Sequence, residues 1–289
     1  FINDEGWGIT PWAGKTFDKE LGDIGPKTYA KVCELILRMK GNVLAPAMHP
    51  SSGAFNKYPE NKMVADSYGI IMSSSHCEPL LFNNVTEWDK KTMGEWNYMT
   101  NKEGINKILD QRVSGNAPYE NIYTIAMRGI HDAGLVGVPK DKEVSLVEEV
   151  IADQREILKK HIDAPLDSVP QIFVPYKEVL EDIMLVWPDD NYGYIKRLNN
   201  KEERNRKGGS GVYYHISYLG EPHDYLWLNT TPPALMFEEM RKAYDTGAKR
   251  YWLLNVGDIK PGELGMKTFL DMAWDINKLS FDNINNHQV

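Results

Sequence analysis

The sequence predicts an α/β protein whose eight strands and intervening helices close into a (β/α)8 barrel, with the first strand truncated. Three observations carry this expectation. Helix-like and strand-like patterns alternate along all 289 residues. The strand-like runs are mostly apolar, as are strands of a parallel sheet covered by helices on its faces. Each run ends in polar residues, where a barrel of this kind carries its site. An open doubly wound sheet is the alternative, but the strand–Gly-x-Gly-x-x-Gly–helix unit that marks it does not occur.

Taken in order, Phe1-Ile2-Asn3 reads as the end of strand one. Residues 29–40 have apolar positions at helical spacing and stop at Gly41, a helix C-terminal signal. Strand two follows over residues 42–48, a short helix over 61–68 and strand three over 69–75. An excursion with Trp88, Trp96 and a helix over 102–113 leads to strand four at 121–127. Leu146, Val147, Val150, Ile151, Ile157 and Leu158 mark one face of the next helix. Strand five covers 171–176 and strand six 183–187. Only residues 177–182 separate them, whereas a parallel crossover needs at least ~10 residues. That shortage points to residues absent between Asp182 and Ile183. Strand seven, entered through Gly208-Gly209-Ser210-Gly211, puts Val212, Tyr214 and Ile216 on one face and Tyr213, His215 and Ser217 on the other. Pro233 starts a helix reaching Tyr244, strand eight spans 249–256, and Met266, Phe269, Leu270, Ala273 and Ile276 face the core from the last helix.

Composition narrows the function classes. A net charge of −8 argues against a nucleic-acid groove, and Arg204-Asn205-Arg206-Lys207 reads as a solvated loop. No apolar run approaches the ~18 residues of a membrane span, so neither nucleic acid nor membrane is an expected partner. Two cysteines make no disulfide framework. Cys33 shares an apolar helix side with Tyr29, Val32 and Ile36, and Cys77, beside His76 and Glu78, is expected to be structural. The chain begins at Phe1 without an initiating Met or a signal peptide, which reads as one barrel domain, residues 1–289, taken from a larger enzyme.

The strand ends supply Asn3, Asp4 and Glu5; His49; His76 and Glu78; Arg128 and Asp132; Tyr176 and Glu178; Asp189, Asp190 and Asn191; His215, Tyr218 and His223; and Asn255 and Asp258. A single polar residue after a strand is ordinarily a cap or turn residue. Eight polar strand ends converging on one axis are not explained that way. Carboxylates with tyrosine and asparagine suit a sugar, and Arg128, a fixed cation, suits an acidic one. The His-x-His pair of metal-dependent barrels is missing and His76-Cys77-Glu78 is no metal motif, so no metal or other cofactor is expected. Gly208-Gly209-Ser210-Gly211 precedes a strand rather than a helix, which argues against phosphate binding. His161, near a helix C-terminus, and His287, in the tail, read as structural or solvent-exposed.

At these positions the sequence resembles glycoside hydrolase family 115, the xylan α-1,2-glucuronidases. The stretches concerned include Phe1-Ile2-Asn3-Asp4-Glu5, Pro46-Ala47-Met48-His49-Pro50, Ser75-His76-Cys77-Glu78-Pro79 and Met127-Arg128-Gly129 with Asp132. They continue through Tyr176-Lys177-Glu178-Val179, Asp189-Asp190-Asn191-Tyr192-Gly193, residues 211–231 and residues 254–261. The resemblance implies removal of glucuronic acid, usually 4-O-methylated, from glucuronoxylan with inversion. It implies flanking domains, a homodimer at full length, and a secreted or periplasmic location. Carried over by motif, Asp132 and Glu178 are the catalytic carboxylates, with acid and base unassigned, and Asp4, His76, Arg128, Asn191, His215 and Tyr218 line the pocket. An inactive carbohydrate-binding barrel and a metal-dependent hydrolase are the competing readings.

Overall fold

The alternating pattern folds into helices packed outside a parallel sheet. The computed structural model describes residues 1–3, 6, 8–174, 179–217, 229–257, 259–260 and 262–287. In chain order the main elements are α1 (Ile9–Thr16), α2 (Pro26–Arg38), β1 (Val43–Leu44), α3 (Pro59–Ser67), β2 (Ile71–Met72), α4 (Lys90–Met93), α5 (Tyr98–Asn116), β3 (Tyr123–Thr124), α6 (Glu143–His161), β4 (Gln171–Phe173), β5 (Met184–Pro188), β6 (Ser210–His215), α7 (Pro233–Asp245), β7 (Tyr251–Asn255) and α8 (Glu263–Trp274).

Among the described residues every strand pair is parallel. β3 to β7 form a five-stranded sheet in sequence order, β1 pairs with β2, and a bridge between Met72 and Asn121 joins the two. Residues 1–3, expected as the end of a strand, lie between the two remaining edges. Ile2 N–H donates to the Ala45 carbonyl at 3.1 Å, Val256 N–H to Phe1 O at 3.0 Å and Asn3 N–H to Gly257 O at 3.0 Å. The sheet is therefore curled, and strand alternation separates its two faces. Met184, Val186, Tyr213, Tyr251 and Leu253 join Phe1, Ala45, Met48 and Ile172 in an inner cluster. Their neighbours Leu185, Trp187, Val212, Tyr214 and Leu254 point outward to Met236, Met240, Phe269 and Met272 on α7 and α8. A second outer cluster packs α5 and α6 against β3 and β4, burying the expected Leu146, Val150, Ile151, Ile157 and Leu158. A third holds α2, with Tyr29, Val32 and Cys33 inside it as expected.

The glycine run before β6 has a packing explanation. A Cβ at Gly208 would lie 2.3 Å from the Ile183 carbonyl oxygen, and one at Gly211 would lie 2.0 Å from that of Tyr251. Gly209 adopts φ 69°, a left-handed conformation that glycine tolerates. The backbone of β6 is thus pressed against both neighbouring strands.

Other expectations need correction. α1, not expected from the sequence, buries Ile9 and Ala13, and its Gly14 sits where a Cβ would be 2.6 Å from the backbone of Gly22. α2 begins at Pro26, its start capped by the buried Asp18 carboxylate, which accepts from the N–H groups of Gly25, Lys27 and Thr28. Its left-handed C-terminal residue is Lys40 (φ 64°), while Gly41 N–H closes on Ile36 O at 2.9 Å. Arg206 is no solvated loop residue. Its guanidinium donates to the carbonyls of Val179 and Leu180, which fastens the turn entering β5. Among the described residues, no helix lies between β4 and β5.

Candidate active site

The cleft opens at the carboxyl ends of the strands, and the loop after β3 is braced from the excursion that precedes α5. Trp96 Nε1 donates to the Arg128 carbonyl at 2.9 Å, and Asn84 Nδ2 donates to Gly129 O at 3.1 Å while its Oδ1 accepts from His131 N–H at 3.1 Å. Trp96 is itself packed between Phe82 and Trp88, with ring centroids at 5.8 and 4.9 Å. The excursion between β2 and α5 therefore serves as a buttress for residues 128–132.

This loop presents a charged cluster. Arg128 Nη1 lies 2.6 Å from Asp132 Oδ1, its Nη2 donates to the Asp132 carbonyl at 3.3 Å, and His76 Nε2 lies 2.9 Å from the same Oδ1. Partial burial pushes the Asp132 carboxyl up, but the His76 hydrogen bond and the charges of His76, Arg128 and His131 outweigh it and hold the group below its ordinary value. The carboxylate remains 55 % exposed, open to a ligand.

The facing wall is aromatic. Tyr213 has its ring 5.9 Å from His76 and 4.5 Å from His215, and its hydroxyl accepts from Asn255 Nδ2 at 2.8 Å. Burial, foremost, raises the Tyr213 phenol well above its ordinary value, so it is a neutral hydrogen-bonding group. His215 Nδ1 hydrogen-bonds Asp189 Oδ1, and His215 N–H donates to Asp189 Oδ2 at 3.2 Å. Together these residues bound a cavity of about 230 Å³, with Asn3, Ser75, Cys77, Asn191 and Pro188 also on its walls.

Of the residues singled out from sequence, His76, Arg128, Asp132, Asn191 and His215 come together here. Asp4, Glu178 and Tyr218 lie outside the described residues, as do Glu5, Tyr176, His223 and Asp258. Asn191 stands at φ 66° in a turn where Asp190 Oδ1 accepts from the N–H groups of Tyr192 and Tyr194. Glu78 turns away from the cleft. It is buried beside a separate small polar cavity with Glu87, Asn83, Asn116 and Asn121, and accepts from Ser75 N–H at 3.1 Å. His131 was missed, although its place between Arg128 and Asp132 was a usable signal.

His76, Cys77 and Asp132 bring one potential metal-ligand atom each within 4.8 Å of one another. The donor set suits an ion pair better than a cation. Burial first, then the Glu78 charge, pushes the Cys77 thiol up to about 12, and Arg128 already neutralises the carboxylate.

A curled parallel sheet with a carboxylate-bearing, aromatic-walled cleft at the carboxyl ends of its strands defines the class: an α/β protein with the site arrangement of carbohydrate-active enzymes. Within that class the chain belongs to glycosyl hydrolase family 115, whose family model matches residues 1–289. It is similar to the solved structure of a family 115 4-O-methyl-α-glucuronidase described as having specificity for decorated arabinogalactans, with a TM-score of 0.92 and 43% identity. The match covers 96% of this chain and 38% of that one, so the chain spans well under half of that relative's length. Among curated proteins none matches. Among the described residues, no helix is long and apolar enough to cross a membrane.

Proposed function

We propose that this chain is the catalytic domain of a glycoside hydrolase that releases glucuronic acid, plain or 4-O-methylated, α-1,2-linked to xylan. The observation that carries the reading is the Arg128–Asp132–His76 cluster facing Tyr213 and His215 in one cleft. A guanidinium suits the carboxylate of an acidic sugar, the only strong anion on a xylan chain, and the aromatic wall suits the pyranose ring. Family membership supports the hydrolase class, and the neighbour's 4-O-methyl-α-glucuronidase activity supports the sugar.

In this reading Asp132 and Glu178 are the inverting pair, ~6.5–9.5 Å apart with water between them. The depressed proton affinity of Asp132 suits the partner that activates water, leaving Glu178 to protonate the departing oxygen. Asp4, Asn191, His215 and Tyr218 bind hydroxyls, and no metal or organic cofactor is assigned. The sheet is read as a closed (β/α)8 barrel with a short first strand, one domain of a secreted or periplasmic homodimer whose flanking domains complete the site.

A second reading, favoured by the neighbour's specificity, keeps the sugar and replaces xylan by a decorated arabinogalactan. The test is release of 4-O-methylglucuronic acid from each polysaccharide, with the first-formed anomer followed by proton NMR. Release from glucuronoxylan as the β-anomer supports the main reading. Release from arabinogalactan alone moves the substrate, an α-anomer first removes the inverting mechanism, and affinity without release favours a carbohydrate-binding domain.

A further inference from the structure

We infer that Asp189 is a positioning residue that fixes the tautomer of His215, so that Nε2 meets the ligand as a hydrogen-bond acceptor. The register brings this about. Pro188 on β5 pairs with Tyr213 on β6, so Asp189 follows one step beyond the strand, level with the end of β6. Its N–H donates to Tyr213 O at 3.1 Å, and its side chain then reaches His215 with both oxygens: Oδ2 accepts from the His215 N–H at 3.2 Å and Oδ1 engages Nδ1. The Asp189 side chain is 0% exposed. Among the described residues the side chain it engages is that of His215.

A buried carboxylate is costly unless it is paired and hydrogen-bonded. Both oxygens of an ionised carboxylate can only accept, so Nδ1 has to carry the proton. An imidazole with a single proton then has its lone pair on Nε2, the nitrogen left for the cleft that His215 lines. Arg128 supplies donors and Asn255 is occupied with the Tyr213 hydroxyl. His215 Nε2 therefore adds a neutral acceptor for a ligand hydroxyl, beside the anionic Asp132. Neither the orientation nor the tautomer depends on which sugar binds. Only the identity of the hydroxyl rests on the proposed glucuronidase reading.

Asp189→Asn makes the inference testable, because asparagine has one acceptor and one donor group. Keeping its oxygen on the His215 N–H turns its NH2 toward Nδ1, which forces the proton to Nε2 and converts the acceptor to a donor. Histidine-selective nitrogen-15 NMR on the full chain should show His215 protonated at Nδ1 in the wild type and at Nε2 in Asp189→Asn. The melting temperature reports whether the variant folds. With a glucuronylated oligosaccharide, kcat/KM should fall about tenfold or more, as expected for a ligand hydroxyl that loses its acceptor and meets a donor instead. In a His215→Gln background Asp189→Asn should change kcat/KM less than threefold, whereas a merely structural aspartate would lose as much in both backgrounds. A wild-type His215 protonated at Nε2, or at both nitrogens at neutral pH, overturns the inference. So does equal loss in the two backgrounds. A wild type without glucuronidase activity overturns the functional reading alone, since the NMR result stands without it.

Discussion

Asp132 has two basic neighbours, and Arg128 should leave a mark on the pH dependence of the site. With His76 and Arg128 in place its carboxyl is held below the ordinary value, so the ionised form persists to lower pH than in a free aspartate. Removing the guanidinium raises that value, and the acid limb of kcat/KM should move to higher pH in Arg128→Ala. The same variant should bind glucuronate at least ~10-fold more weakly, as expected for a lost charge-assisted hydrogen bond worth ~1.5–3 kcal/mol. Titration calorimetry with glucuronate and with glucose separates the two effects. Equal affinity of the wild type for both sugars would remove Arg128 as the carboxylate clamp.

At the scale of elements, α8 is tied to the segment after it by one carboxylate. Asp271 sits 2.6 Å from Lys267 Nζ, 2.8 Å from Lys278 Nζ and 3.2 Å from His287 Nε2. His287 is thus a structural partner, as is His161, which pairs with Asp110 at 2.9 Å. Burial opposes ionisation of Asp271, yet the lysine hydrogen bonds prevail and bring its value from 3.8 to about 2. A depressed carboxyl stabilises the fold above its unfolded value and ceases to do so as pH falls through the folded one. Asp271→Asn should therefore cost ~1–2 kcal/mol at pH 7, allowing for the solvent-exposed lysines, and lose its effect near pH 2. Urea denaturation across that range measures it. The same scale shows what the sequence made legible. Alternation along β6 placed Tyr213 and His215 on the cleft side and Val212 and Tyr214 on the outer side, because a strand's period of two survives any packing. Glu78 was misplaced because residues 75–78 close in a tight turn, Glu78 N–H donating to Ser75 O at 3.0 Å, which folds its carboxylate back onto Ser75 N–H and away from the cleft. No residue pattern announces that turn, so nothing signalled that His76 and Glu78 would part company.

For the molecule as a whole, the buried Glu78 sets a stability that declines with pH. Desolvation, foremost, lifts its carboxyl from 4.5 to about 8. The folded state then holds a proton that the unfolded chain releases, and stability falls between those two values. Glu78→Gln keeps an acceptor for Ser75 N–H without the ionisation. It should flatten that slope and gain of order 2–4 kcal/mol at pH 8, with little change near pH 4. An unchanged slope in denaturation at both pH values would show that Glu78 ionises freely. The order of the strands, and the gathering of His76, Arg128, Asp132, Asn191 and His215 at one cleft, were legible because each strand carries its own pattern. The contacts between strands were not. Gly211 is the sharpest case, since its missing side chain is what lets β6 lie against Tyr251, four residues before His215. Gly211→Ala would wedge that seam apart and displace the histidine with it. In a genetic screen scored by activity, this residue without a functional group would be grouped with the catalytic ones. Only a measurement of folding, in which Gly211→Ala loses stability and Arg128→Ala does not, would tell the two kinds of loss apart.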